Sequence, residues 1–159
     1  MRNTRPLTTN YRPQKIQGFL LSAMAYALVT LSSCNSEPPA IIFGKDYCEF
    51  CKMTIMDKKF GAELINKKGK AIKFDSGECM VGYMNADKDF EVNKTLIINY
   101  SNPGELLDAD KSFFLHGGDV NSPMGGQLAA FKTREDAEKI QKELQGELIL
   151  WEKVVSINF

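Results

Sequence analysis

Residues 61–85, GAELINKKGKAIKFDSGECMVGYMN, carry the pattern that decides the fold. Residues 61–66 and 71–74 each read as a strand, and Lys67-Lys68-Gly69-Lys70 between them supplies a glycine-containing hairpin turn. Ser76 then stands where an N-cap belongs, ahead of a helix running to about Asn85 with Met80, Val81 and Met84 on one face. The apolar run at 95–100, TLIINY, follows as a buried strand. The same order recurs downstream. Residues 112–116 and 127–131 read as strands around a glycine-rich connection, and Thr133 opens a helix, TREDAEKIQKELQ, that Gly146 stops. Glu135 and Asp136 complement the macrodipole at its start, Ala137, Ile140 and Leu144 form its apolar stripe, and residues 147–151 close the unit as a strand. The expectation is an α+β fold. Two related β-β-α-β units, each poor in apolar residues, should share one compact domain.

The chain has 159 residues, 43% of them hydrophobic, with 20 Lys and Arg against 20 Asp and Glu. That length suits one domain with a tail. A zero net charge argues against a nucleic-acid binder, which normally carries a basic excess. The charge is unevenly placed: Arg2, Arg5, Arg12 and Lys15 come early, and the first acid is Glu37. The apolar run FLLSAMAYALVTL, residues 19–31, is shorter than the roughly 20 residues a spanning helix needs and reads as the core of a secretory signal. Leu31-Ser32-Ser33-Cys34 directly after it resembles the bacterial lipobox, in which the cysteine is lipidated and becomes the mature N-terminus. The expected organisation is a lipoprotein signal peptide at 1–33, lipidated Cys34 and a tether containing Pro38-Pro39 at 34–46, and a folded domain at 47–159. Such a protein is held at a membrane of the bacterial cell envelope, with its domain facing the periplasm or the exterior. Losing residues 1–33 removes four basic and no acidic residues, leaving 16 against 20 and a net charge of −4. Three cysteines remain for the domain: Cys48, Cys51 and Cys79.

The sharpest chemical feature is Tyr47-Cys48-Glu49-Phe50-Cys51-Lys52-Met53, a C-x-x-C-x-M run. Two cysteines three apart can chelate one ion from a single turn. If the chain after Cys51 is extended, Met53 shares its face. Thiolate and thioether are soft donors that favour Cu(I) over Mg²⁺, Ca²⁺ or Mn²⁺. A thioredoxin-like redox pair and a disulfide are rival readings of the same spacing, although the residues after Cys51 do not resemble a helix start. Cys48, Cys51, Cys79 and His116 would together make a Cys₃His zinc set, with only one close-spaced pair. Ser122-Pro123-Met124-Gly125-Gly126 places Met124 on a side-chain-poor loop, either plugged into the core or presented to a metal. Met80 and Met84 read as a core stripe, Cys79 as a buried thiol, and Asp75 as a cap. No Ser/His/Asp order, phosphate loop or carboxylate pair emerges, so the chain is not expected to be an enzyme.

Together these residues resemble the NosL family of copper-chaperone lipoproteins. The features that carry the resemblance are the lipoprotein signal, the C-x-x-C-x-M run beside Tyr47, Phe74-Asp75 before a helix with Cys79-Met80, the Phe113-Phe114 strand, and the S-P-M-G-G loop followed by Ala130-Phe131. The resemblance runs from about Tyr47 to Trp151. It implies a membrane-anchored metallochaperone that carries Cu(I) for the maturation of nitrous oxide reductase, working with a membrane transporter. The family's Cys-x-Met falls on Cys51 and Met53, and the methionine of its P-M-G loop on Met124, with Cys48 as a further ligand. His116-Gly117-Gly118 departs from the Gly-Ser-type turn of the family, which weakens a histidine ligand without touching the sulfur set. The alternatives to a copper carrier are an envelope thiol–disulfide oxidoreductase using the C-x-x-C and a zinc-stapled interaction lipoprotein.

Overall fold

In a computed structural model that describes residues 40–159, the hairpin at 61–74 forms as its pattern requires. Strand β1 (Ala62–Asn66) pairs antiparallel with β2 (Ala71–Phe74). Helix α1 (Gly77–Ala86) starts at Ser76, whose Oγ accepts the Cys79 N–H at 3.3 Å. Strand β3 (Val92–Ile98) returns along the other edge of β1, and β4 (Leu106–Asp108) extends the sheet to the order β2-β1-β3-β4. After a 3-10 turn at Ala109–Lys111, β5 (Phe113–His116) and β6 (Leu128–Phe131) form the second hairpin. Helix α2 (Arg134–Leu144) is capped by Thr133, which accepts the Asp136 N–H at 3.1 Å, and β7 (Glu147–Leu150) pairs with the free edge of β5. A short helix α3 (Trp151–Val154) follows.

Both sheets repeat one topology. In each, the first strand of the hairpin lies in the centre, and the strand after the helix pairs antiparallel with its other edge. The expected pair of β-β-α-β units is therefore present as two antiparallel sheets with helices, linked by a parallel bridge between Asn99 and Ala130. The described residues form one compact unit. The larger core gathers Leu64, Phe74, Ile97, Phe114 and Leu128 from both sheets and Met80 from α1. The expected strand at 95–100 starts three residues earlier, and Trp151 opens α3 instead of ending a strand. Among the described residues no helix is long and apolar enough to cross a membrane. The signal peptide, Cys34 and residues 35–39 of the tether lie outside the described residues.

Residues 40–46, read from the sequence as the end of the tether, pack on the sheet. Strand alternation puts Ala62 and Leu64 in the core and turns Glu63 to the opposite face. On that face Glu63 pairs across the ladder with Lys73, whose ammonium donates to the Ala40 carbonyl at 2.9 Å and to Asp46 Oδ2 at 2.6 Å. Glu63, opposite Lys73 in the ladder, is fully buried, and neither carboxyl oxygen has a hydrogen-bond partner. Burial pushes its carboxyl up to about 7, with Lys73 pulling it down and Asp46 pushing it up.

A carboxyl with a raised folded pKa stabilises the fold below its unfolded pKa and loses that contribution as pH climbs through the folded value. Chemical denaturation should show the stability of the native chain, taken relative to the uncharged variant Glu63→Gln at each pH, falling by about 2 kcal/mol between about pH 5 and about pH 8. Taking the difference cancels the titration of the cysteines, which both proteins share. Parallel pH profiles for the two proteins would show instead that Glu63 is not the group responsible.

Candidate metal centre

The two close-spaced cysteines sit on a tight hairpin ahead of β1. Tyr47 and Thr54 form an antiparallel bridge, Cys48 donates its N–H to the Met53 carbonyl at 2.8 Å, and Lys52 donates to the Cys48 carbonyl at 3.0 Å. Closing so short a loop forces Lys52 into the left-handed region, at φ 64°. The chain between Cys51 and Met53 is thus a turn, not the extended segment the sequence suggested. The turn aims the Cys51 N–H at Cys48 Sγ, 3.5 Å away. The Glu49 N–H, bonded to the Lys73 carbonyl at 2.9 Å, fastens the loop to β2.

The third sulfur comes from α1. Cys79 lies in its first turn, and the sulfurs of Cys48, Cys51 and Cys79 all lie within 4.8 Å of one another. All three cysteines are free thiols. Cys48 and Cys79 are buried at 0% and 1% exposure, and Cys51 alone reaches the surface. Cys79 is buried as expected, and its sulfur stands with the other two, as the Cys₃His set would have it, although the sequence favoured a thiol apart from them. Its signal was an odd, unpaired cysteine just inside a capped helix start.

The cluster divides its protons unequally. A hydrogen bond from Cys79 pulls the Cys48 thiol down to about 5, against the opposing effect of burial and with help from the backbone N–H groups of Asp75 and Cys51. Cys79 is pushed up, chiefly by donating that bond and then by burial. Burial pushes Cys51 up. The negative charge on Cys48 adds to burial in raising the Asp75 carboxyl. Within the cluster the hydrogen bonds thus favour ionisation of one thiol over the other two, which donate to it.

The methionines stand outside the sulfur triangle. Met53 is 54% exposed on the rim of the cysteine loop. Met124 is 43% exposed and lines a cavity of about 420 Å³ together with Cys79, Glu78, His116, Phe50 and Phe159. Cys48, Cys51 and Met53 are not among the residues that line it. The structure thus joins Cys48 and Cys51 to Cys79, brings Met124 to the Cys79 side, and leaves Met53 at the surface. His116 faces the same cavity edge-on to Phe159, with ring centroids 5.9 Å apart. It is not part of the group whose ligand atoms converge, which among the described residues consists of the three cysteines. Three converging thiols fit a soft metal ion.

The sequence profile of the NosL family matches residues 39–157. A search among curated proteins returns no match. Among solved structures, the fold is similar to the crystal structure of the copper chaperone NosL from Shewanella denitrificans. The TM-score is 0.64 at 21% identity, over 74% of this chain and 94% of that one. At that identity the likeness is one of fold.

The unequal protonation has a direct readout. Ultraviolet titration of thiolate absorbance in the reduced, metal-free protein should show one thiol ionising below neutral pH and two ionising well above it. Cys79→Ala removes the principal donor and should move the low step up toward the ordinary cysteine range. A low step that stays in place would show that Cys79 does not stabilise the thiolate.

Proposed function

The chain belongs to the NosL family, and from that premise we propose that it is a copper-binding metallochaperone, a carrier and not a catalyst. The observation that carries this reading is the convergence of Cys48, Cys51 and Cys79 sulfurs on one point at the edge of the core. Thiolates suit Cu(I), zinc and iron–sulfur clusters alike, and nearby methionine thioethers with the family membership turn the choice toward Cu(I). In this reading Cys48 and Cys79 form the fixed floor of the site, while Cys51 is the exposed ligand that exchanges. Met124, on the cavity beside Cys79, and Met53, on the loop rim, supply thioethers that help to seat the ion and release it. The cargo is passed when a partner's donor atom enters before one of these ligands leaves.

The remainder of the proposal rests on the leader sequence and on the family. Lipidated Cys34 anchors the protein at a membrane of the bacterial envelope, and the tether at 35–39 spaces the domain from it. Confinement to the membrane raises the effective concentration near a membrane transporter that receives or supplies the ion. The client is nitrous oxide reductase during the assembly of its copper.

A thiol–disulfide enzyme is the second reading, favoured by the lowered pKa of Cys48 beside Cys51. An attacking thiolate must be reachable by its substrate. Here Cys48, whose ionisation is favoured, is fully buried, while burial opposes ionisation of the partly exposed Cys51, an order that weighs against redox turnover.

Anaerobic Cu(I) titration against a competing chelator should give one tightly held ion per chain, lost in Cys51→Ser and weakened in Met124→Leu. Because Cys51 and Cys79 must shed protons to bind as thiolates, affinity should rise with pH above neutrality. Stoichiometric tight zinc in the anaerobically purified protein, with no gain on adding Cu(I), would sink the carrier reading. Reduction of a disulfide substrate that persists in Met124→Leu and disappears in Cys48→Ser would establish the redox one. For the anchor, Cys34→Ser should move the protein from the membrane fraction to the soluble fraction.

A further inference from the structure

Glu78 is the residue before Cys79 and is 3% exposed. Its Oε1 accepts hydrogen bonds from the Ser122 hydroxyl and, at 3.3 Å, from the Leu128 N–H. Both donors belong to the second β-β-α-β unit, at the two ends of the loop that carries Met124. The Ser122 hydroxyl in turn accepts the Gln127 N–H at 2.9 Å, and the Ser122 carbonyl accepts the Gly125 N–H at 3.0 Å. The loop is thereby closed on itself and on Glu78. Gly126 lies flat against the carboxyl-bearing chain, where an added Cβ would fall 2.4 Å from Glu78 Cγ. The second oxygen, Oε2, is buried and has no partner. A bare buried carboxyl oxygen opposes folding, so this residue is not the simplest way to stabilise a loop.

We infer that Glu78 is a positioning residue for the metal site, setting where the Met124 thioether stands relative to the cysteine sulfurs. The inference rests on the reading of Met124 as a copper ligand. The residues that own the two kinds of ligand are fastened through one carboxyl: Cys79 follows Glu78 on α1, and Met124 sits in the loop whose ends bond to it. Cys79 and Met124 line the same cavity, and Glu78 lines it with them. Without the carboxyl the loop keeps its internal turn but loses its tie to the cysteine helix, and the thioether loses its fixed distance from the sulfurs.

The test is Cu(I) affinity of the full chain, measured by chelator competition in a double-mutant cycle. Glu78→Ala should weaken binding about tenfold, the scale seen when groups that orient metal ligands are removed. Met124→Leu should cause a comparable loss, and the double variant should lose little more than either alone. Copper X-ray absorption should show one sulfur scatterer fewer in Glu78→Ala, as in Met124→Leu. Glu78→Gln keeps an oxygen for Ser122 and Leu128 and should retain affinity within about threefold. Ser122→Ala, a gentler cut of the same tie, should show the same non-additivity with Met124→Leu if Glu78→Ala does not fold. The inference is overturned if Met124→Leu weakens binding while Glu78→Ala and Ser122→Ala leave it unchanged, or if the losses add in full. An unchanged affinity in Met124→Leu would instead overturn Met124 as a ligand, and this inference with it.

Discussion

The site depends on how closely the first turn of α1 approaches both sheets. At Gly77 a Cβ would lie 2.8 Å from Ile97 Cδ1 on one sheet and 3.1 Å from Leu128 Cδ2 on the other, so a side chain there would have to push aside a terminal methyl group of each sheet. Ser76, fully buried, caps the helix at that point. The next two residues then act on opposite neighbours. Glu78 bonds to Ser122 and Leu128 of the second unit, and Cys79 meets the sulfurs of the hairpin loop. A wedge of two methyl groups and a cap thus determines where three ligand-bearing segments meet.

Electrostatics explains why such a cluster can sit at the edge of a core. A buried thiolate is costly unless donors surround it. Cys48 has the Cys79 thiol as principal donor, with the backbone N–H groups of Asp75 and Cys51 and the Cys51 thiol behind it. Burial first, and then the Cys48 charge, raise the nearby Asp75 carboxyl, so both oppose a second negative charge there. For the proposed Cu(I) cargo, a monocation on a single thiolate leaves the site neutral. Each further thiolate recruited from Cys51 or Cys79 returns charge to the low-dielectric interior, so thioethers are useful partners there.

Local signals were legible wherever local physics sets the structure. The Gly69 hairpin, the Ser76 and Thr133 caps, and both strand pairs flanking the helices appear where side-chain alternation and capping chemistry place them. The elements that escaped depend on a partner strand. Leu106–Asp108 carries no alternation of its own and becomes β4 because Leu106 and Leu107 find Ile98 and Ile97 across the ladder. Val92–Lys94 is exposed and polar, yet its backbone continues the ladder on β1. Trp151 leaves the strand to lie stacked on Phe114, with centroids 5.7 Å apart.

By itself the sequence determined the soft character of the site, the α+β class and the duplicated order of elements. Each is written in residue type or in spacing over a few positions. C-x-x-C brings two sulfurs together because one tight loop suffices to do it. Only the tertiary structure decided which other donors join them. Cys79 comes to them because α1 packs its first turn against that loop, Met53 lies on the loop's rim where Lys52 turns left-handed to close it, and Met124 lines one cavity with Cys79, on a loop bonded to Glu78 of the first unit. Contacts between segments distant in sequence arise from the packing of apolar faces, and no periodicity along the chain records which faces will meet.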